Sequence, residues 1–358
     1  MSGQPPGCLR KNLTKNIKMH LLVIRTSAMG DVALLTPVIM GMTKQYPDVE
    51  ITLVTRKTFE SFFYSFTGVK FFFPDFSRNH RGIRGIFRMH SDLKKIHADC
   101  VIDLHDVLRS KILRQLFRLS GLPVFVINKG RSDKRNVING KRKTGLKHSV
   151  IRYCDVFAKA GYSVVPADVP CILPTTNGIS EISGLYMNTG EFNIGVAPYA
   201  RHKLKMWPEE NMQKLLGMIS ARLKVKIWLF GGHEELERLK NFQKQVSGSF
   251  LVAGNLSLEG ELALMSRLDL MISMDSSNMH LAALEGIRVI SIWGGTDPLT
   301  GFGAWKQPEN MAIRIPPEEL SCRPCTIFGK GECRRGDLAC MKWLTPERVF
   351  QKVIELIQ

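Results

Sequence analysis

Several short stretches of this 358-residue chain carry residue types whose spacing suits chemistry on a phosphorylated ligand. The most informative is Ser273-Met274-Asp275-Ser276-Ser277-Asn278-Met279-His280. It follows the apolar run Leu268 to Ile272 and precedes a helical pattern that ends at Gly286. This reads as strand, turn and helix. Asp275 or Ser276 suits the N-cap, because a side-chain oxygen there accepts a free N–H of the first helical turn. The same N–H groups carry the positive end of the helix dipole and offer a seat for phosphate. The alternative is an ordinary capped helix of an α/β domain. Gly231 to Glu235 and Gly294 to Pro298 are two further turns after apolar runs, and Lys205 follows a fourth run, Phe192 to Ala197. In an open α/β sheet, turns at strand C-termini line one crevice.

The elements that must hold these turns alternate. In the first half, His20 to Ile24 reads as a strand, followed by the turn Arg25 to Val32 and a helical pattern through Gln45. Strands are expected at Ile51 to Thr55, Val69 to Phe73, Cys100 to Leu104 and Val124 to Ile127, with helical patterns between them. Lys129 to Lys147 is polar and basic with three glycines, and reads as a mobile loop. Pro166, Pro170 and Pro174 precede the weakly patterned stretch Thr175 to Gly190, which suits a domain boundary. A second alternating series runs from Phe192 to Trp293, and the tail from Pro346 is helical. Strands alternating with helices imply mostly parallel sheets. The expected division is an extension at 1–17, Rossmann-like domains at 18–175 and 176–345, and a helix at 346–358.

Composition narrows the function classes. Hydrophobic content of 44% and charged content of 23% fit a soluble globular protein. No run of 18 apolar residues is present, so no transmembrane helix is expected. Met1 to Lys18 has no apolar core and does not read as a secretory signal. The net charge of +18 points to an anionic partner: nucleic acid, a membrane surface or a phosphorylated substrate. Arg78 to Arg88 and Lys129 to Lys147 are the densest basic stretches, and neither interleaves aromatics as a single-strand stacking platform does. Cys322, Cys325, Cys333 and Cys340 form a cluster whose first pair has zinc-ligand spacing and whose second pair is wider. The choice there is between a zinc site and a thiol-rich structural loop.

Four motifs in order give a specific resemblance. They are Arg25-x-Ser27-x-x-Gly30-Asp31-Val32 with Thr36-Pro37, then Lys205-x-Trp207-Pro208, then Asp275-Ser276 with Met279-His280-Leu281-Ala282, then Gly295-Thr296-Asp297-Pro298. Together they resemble the heptosyltransferases of glycosyltransferase family 9, over nearly the whole chain from Lys18. The resemblance implies a GT-B fold, two facing Rossmann-like doubly wound domains with a central cleft. It implies an ADP-heptose donor and a lipopolysaccharide inner-core acceptor.

The resemblance also implies roles. Asp31 matches the aspartate that takes the acceptor hydroxyl proton as oxygen attacks the anomeric carbon, a step that needs a base. Its alternative is to cap the following helix. Ser27 and Gly30 would shape the turn beside it. Lys205 matches the lysine at the donor phosphates. Ser276 and Ser277 would offer N–H groups to the diphosphate, where charge builds as the sugar leaves. Glu234 matches a glutamate at the ribose, its alternative being a first-turn glutamate favoured by the helix dipole. Asp275 and Thr296 match residues near the donor, and His280 matches the motif histidine or is a buried core residue. The common family form has glycine and proline where this chain has Ser277 and Asn278, so the donor pose is the feature most open to change.

These readings make the chain an inverting glycosyltransferase without metal or other cofactor. Its partners would be a nucleotide-sugar, a phosphorylated lipid-sugar and the anionic inner-membrane surface of a Gram-negative bacterium, with the enzyme cytoplasmic and peripheral. Nucleic acid is not expected as a partner. The alternatives are a same-fold enzyme using another nucleotide-sugar and a basic, non-catalytic anion or nucleic-acid binder. A nucleotide-binding oxidoreductase is disfavoured, because no Gly-x-Gly-x-x-Gly follows the first strand.

Overall fold

The computed structural model describes residues 18–142, 144–185 and 190–357, so the expected extension at 1–17 lies outside the described residues. The chain divides into two compact units. One comprises residues 1–129 with 149–171, and the other comprises 130–148 with 172–358.

The first unit holds a five-stranded sheet of β1 (His20–Ile24), β2 (Glu50–Val54), β3 (Val69–Phe72), β4 (Cys100–Asp103) and β5 (Val124–Val126). The order is β3-β2-β1-β4-β5, and every pairing is parallel. A central parallel strand is covered on both faces, so it reads as a continuous apolar run instead of an alternating one. In β1, Leu21, Leu22 and Val23 are fully buried. Burying each contributes about 2 kcal/mol. The helical pattern expected through Gln45 is broken into Met29–Ala33 and Thr36–Gln45. Pro37 falls in the first turn of the second helix, where its missing N–H goes unused.

The second unit holds β6 (Phe192–Ala197), β7 (Val225–Leu229), β8 (Ser249–Leu251), β9 (Leu270–Met274), β10 (Val289–Ile292) and the short β11 (Ala312–Ile313). Their order is β8-β7-β6-β9-β10-β11, again all parallel. Counted from the first strand of each unit, both sheets run 3-2-1-4-5, with a sixth strand added in the second. This is the doubly wound order, in which the chain reverses direction between strands 1 and 4. The reversal falls between β1 and β4, with Ile24 opposite Asp103, and between β6 and β9, with Ala197 opposite Ser273.

Two expectations change. Residues 129–147 are not a plain mobile loop. They include the helix Arg131–Ile138, with Lys134 and Val137 buried. The segment is fixed to its own unit by the Leu146 N–H on the Leu299 carbonyl at 2.8 Å, by the Lys134 ammonium 3.8 Å from the Phe302 ring centre, and by His148 Nε2 at 2.9 Å from the Gly303 carbonyl. The composition was polar enough to hide a few anchoring contacts. The units also divide differently from a single boundary at 175. The chain passes to the second unit for 130–148, returns for Ser149–Cys171, and crosses finally at Ile172.

Candidate active site

In the first unit, the Ser27–Asp31 turn follows β1 and the His105–Asp106 loop follows β4, so both sit at the strand-order reversal. Asp103 at the end of β4 is fully buried and organises that loop. Its Oδ1 accepts the N–H groups of His105 and Asp106 at 2.9 and 3.0 Å, and Arg114 bridges Asp103 and Asp106. His105 is thereby aimed at the β1 turn, with Nδ1 3.2 Å from Thr26 Oγ1 and Nε2 3.1 Å from Ser27 Oγ. Burial, with the Arg25 and Lys129 cations, lowers the imidazole to about 3, so it is neutral at physiological pH.

Asp31 is held from beneath. The buried Arg25 guanidinium donates from Nη2 to Asp31 Oδ2 at 2.6 Å and from Nη1 to the Leu104 carbonyl at 2.6 Å. The Tyr153 hydroxyl donates to the Asp31 backbone carbonyl at 3.0 Å. The capping alternative survives only as a long contact from the Ala28 N–H to Asp31 Oδ2 at 3.4 Å. The Asp31 side chain keeps 31% exposure, so the carboxylate is oriented yet reachable. Thr26, His105 and Arg109 line a small hollow with the apolar Ile24, Phe76 and Met89. Arg109 stacks on Phe76 at 3.8 Å, and burial together with Arg56 lowers its guanidinium.

In the second unit, Lys205 follows β6 and Asp275 follows β9, again at the reversal. Lys205 Nζ lies 2.8 Å from Asp275 Oδ2, and the Thr296 hydroxyl donates to the same oxygen at 2.7 Å. Asp275 is therefore not the cap of the next helix. Ser276 occupies the N-cap position of the helix Ser277–Leu284, but its side chain makes no capping bond. Its Oγ sits 3.1 Å from Ser273 Oγ. The expected side-chain cap is thus corrected: Lys205 and Thr296 claim the one oxygen, and Ser273 claims the other. Asp297 is fully buried, accepts the Leu299 N–H at 2.9 Å and pairs with Arg314 and Arg323.

The structure brings together Ser27, Gly30 and Asp31 in one unit, and Lys205, Asp275, Ser276 and Thr296 in the other. Ser277 begins the helix and is half-buried, while His280 is buried one turn further on. Glu234 lies in the helical turn His233–Glu235 that follows β7 and is exposed. The N-terminal capping bond there is made by Glu235, whose Oε2 accepts the Gly232 N–H at 2.8 Å. Sequence reasoning missed His105, although the strand-end rule that flagged the other turns applies to it equally. It also missed Arg323, which carries no motif of its own. Among the described residues, the four clustered cysteines form no group that could hold a metal ion, and no helix is long and apolar enough to cross a membrane.

Two doubly wound units, each with polar side chains gathered at its strand-order reversal, are the architecture of the GT-B fold. Residues 86–326 match glycosyltransferase family 9 (heptosyltransferase), and the chain belongs to that family and is a glycosyltransferase. It is 25% identical over 323 residues to lipopolysaccharide heptosyltransferase 1 of Escherichia coli O18:K1:H7, covering 85% of this chain and 94% of that one. In fold it is similar to a family 9 glycosyl transferase from Veillonella parvula, with a TM-score of 0.75, 19% identity, and 97% and 99% of the two chains covered. It is also similar to E. coli heptosyltransferase WaaC, solved with ADP, with a TM-score of 0.66, 21% identity, and 94% and 100% covered.

Proposed function

We propose that the protein is an inverting transferase that moves a heptose from ADP-heptose to a lipopolysaccharide inner-core acceptor. The observation that carries the reading is the Lys205–Asp275–Thr296 cluster at the β6/β9 reversal, beside the first turn of the Ser277–Leu284 helix. The Ser276 side chain makes no capping bond there, so the first-turn N–H groups suit an anion. When the bond to the sugar breaks, negative charge collects on the leaving diphosphate. A fixed ammonium and fixed N–H dipoles stabilise that charge without reorganising. Glu234, at the neighbouring strand end, suits the ribose hydroxyls.

In the first unit, Asp31 takes the proton of the acceptor hydroxyl. Arg25 occupies Oδ2, which leaves Oδ1 to face the substrate. Both ring nitrogens of His105 are taken up by the Thr26 and Ser27 hydroxyls, so it orients the turn. Arg56 and Arg109 suit acceptor phosphate, and the net charge of +18 suits anionic lipid at the cytoplasmic face of the inner membrane. The site residues supply cation and dipole themselves, so the reading requires no metal. The E. coli relative's name and the neighbour solved with ADP support lipopolysaccharide as acceptor and ADP as the nucleotide.

Ser277 and Asn278 keep open a second reading, the same reaction with another nucleotide-sugar. A thermal-shift screen of ADP-, UDP- and GDP-sugars separates the two, because a ligand bound only by the native state raises Tm. ADP-heptose should give the largest rise. A larger rise with a UDP- or GDP-sugar would overturn the donor assignment.

A further inference from the structure

The cysteine-bearing segment after β11 stands outside the reaction as described, yet it touches the donor cluster at several points. Arg323 has a fully buried side chain. Its guanidinium donates from Nε to the Gly294 carbonyl at 2.6 Å, from Nη2 to the Thr296 carbonyl at 2.9 Å and the Trp293 carbonyl at 3.4 Å, and from Nη1 to the Ile315 carbonyl. The carbonyl between these, Gly295, accepts the N–H groups of Cys325 and Thr326 at 2.9 and 3.1 Å. The Gly295 N–H in turn donates to the Leu204 carbonyl at 2.8 Å. The turn that carries Thr296 is thus clamped between residues 323–326 on one side and the residue before Lys205 on the other.

Gly329 completes the arrangement. It is buried with φ +78°, and a Cβ there would lie 2.7 Å from Lys205 Cγ, 2.9 Å from Cε and 3.0 Å from Cδ. The segment therefore lies along the lysine stem. A methyl group would push the stem aside and draw Nζ away from Asp275. Gly331 has the same left-handed backbone, φ +94°, with nothing within 4 Å of its Cβ position.

We infer that residues 323–329 form a positioning element of the donor site: Arg323 fixes the Thr296 turn and Gly329 fixes the Lys205 stem, together setting where the ammonium meets the nucleotide diphosphate. This rests on the reading of Lys205 as a diphosphate contact. It gives the cysteine-bearing loop a task besides packing, one that Lys205 and Thr296 cannot perform alone because each is a single side chain on a turn.

ADP titration calorimetry tests this on the full chain with Gly329→Ala, Gly331→Ala, Lys205→Ala and the Lys205→Ala/Gly329→Ala pair. Both glycine variants carry left-handed backbone strain, so both should lower Tm, Gly329→Ala by more because its methyl also displaces the Lys205 stem. Gly329→Ala should weaken ADP by about tenfold and Gly331→Ala by less than about twofold, and Gly329→Ala should add nothing once Lys205 is gone. Arg323→Lys keeps a cation beside Asp297 but loses the planar fork to the carbonyls. It should also weaken ADP, and it decides the case if Gly329→Ala does not fold. Equal ADP affinity in the two glycine variants, or a loss from Gly329→Ala that persists without Lys205, would overturn the positioning role. If Lys205→Ala itself binds ADP normally, the diphosphate reading falls and the inference falls with it.

Discussion

Each unit places an aspartate at its strand-order reversal, and the two are treated in opposite ways. Asp31 is pinned through one oxygen by Arg25 and keeps 31% of its side chain exposed. Asp275 is reduced to 8%, and one oxygen serves both Lys205 and Thr296. The same residue type at the reversal of two similar sheets, after the first strand in one and the fourth in the other, thus acquires different chemistry. The first can exchange a proton, because an accessible lone pair remains. The second is committed to orienting a cation, since Lys205 and Thr296 already share its oxygen.

The largest effect expected from breaking this contrast is in the rate. Asp31→Asn keeps the shape and the Arg25 contact but removes the base, so transfer should fall by about a thousandfold, within the span seen for general-base loss. Steady-state assays with excess donor and acceptor measure it, and a melting curve should show a folded protein.

Asp275→Ala should act on stability first. It leaves Lys205, whose side chain is 17% exposed, without its partner, and costs about 2 kcal/mol. Urea unfolding measures that loss. A stability unchanged by the substitution would mean that the cluster is weaker than its distances suggest.

Glu285 sharpens the comparison by supplying a carboxylate with neither treatment. It closes the helix that Ser276 opens, and among the described residues neither oxygen has a hydrogen-bond partner. Burial raises its folded value well above the ordinary 4.5. The native state holds that proton more tightly than the unfolded chain. The stability linked to it is therefore present below about 4.5 and lost as pH rises through the raised value. Glu285→Gln should raise Tm at pH 8 and leave it nearly unchanged at pH 4. A rise of the same size at both pH values would place the effect outside this titration.

Much of this contrast was legible in the sequence. The alternation of apolar runs and small-residue turns gave the two doubly wound sheets, because buried parallel strands cannot alternate polar and apolar residues. The turns at Ser27–Asp31, Asp275 and Thr296 were legible because they follow those runs closely, and Lys205 because it stands in the motif Lys205-x-Trp207-Pro208. What was not legible depended on distance in space. The Asp275 side chain looked like a helix cap, since the cap rule sees only local sequence. Its capture by Lys205, 70 positions earlier, and Thr296, 21 positions later, is a property of the β6/β9 neighbourhood. The helix within 131–138 was missed because a basic surface face outweighs a few anchoring residues in composition.

The proposed reaction divides base and leaving-group site between the two units. ADP affinity and transfer rate measured side by side for Asp31→Asn and Lys205→Ala test it most directly. Asp31→Asn should bind ADP as the unaltered protein does and lose transfer, whereas Lys205→Ala should bind ADP about tenfold more weakly. Loss of ADP binding in Asp31→Asn, or its full retention in Lys205→Ala, would contradict the division.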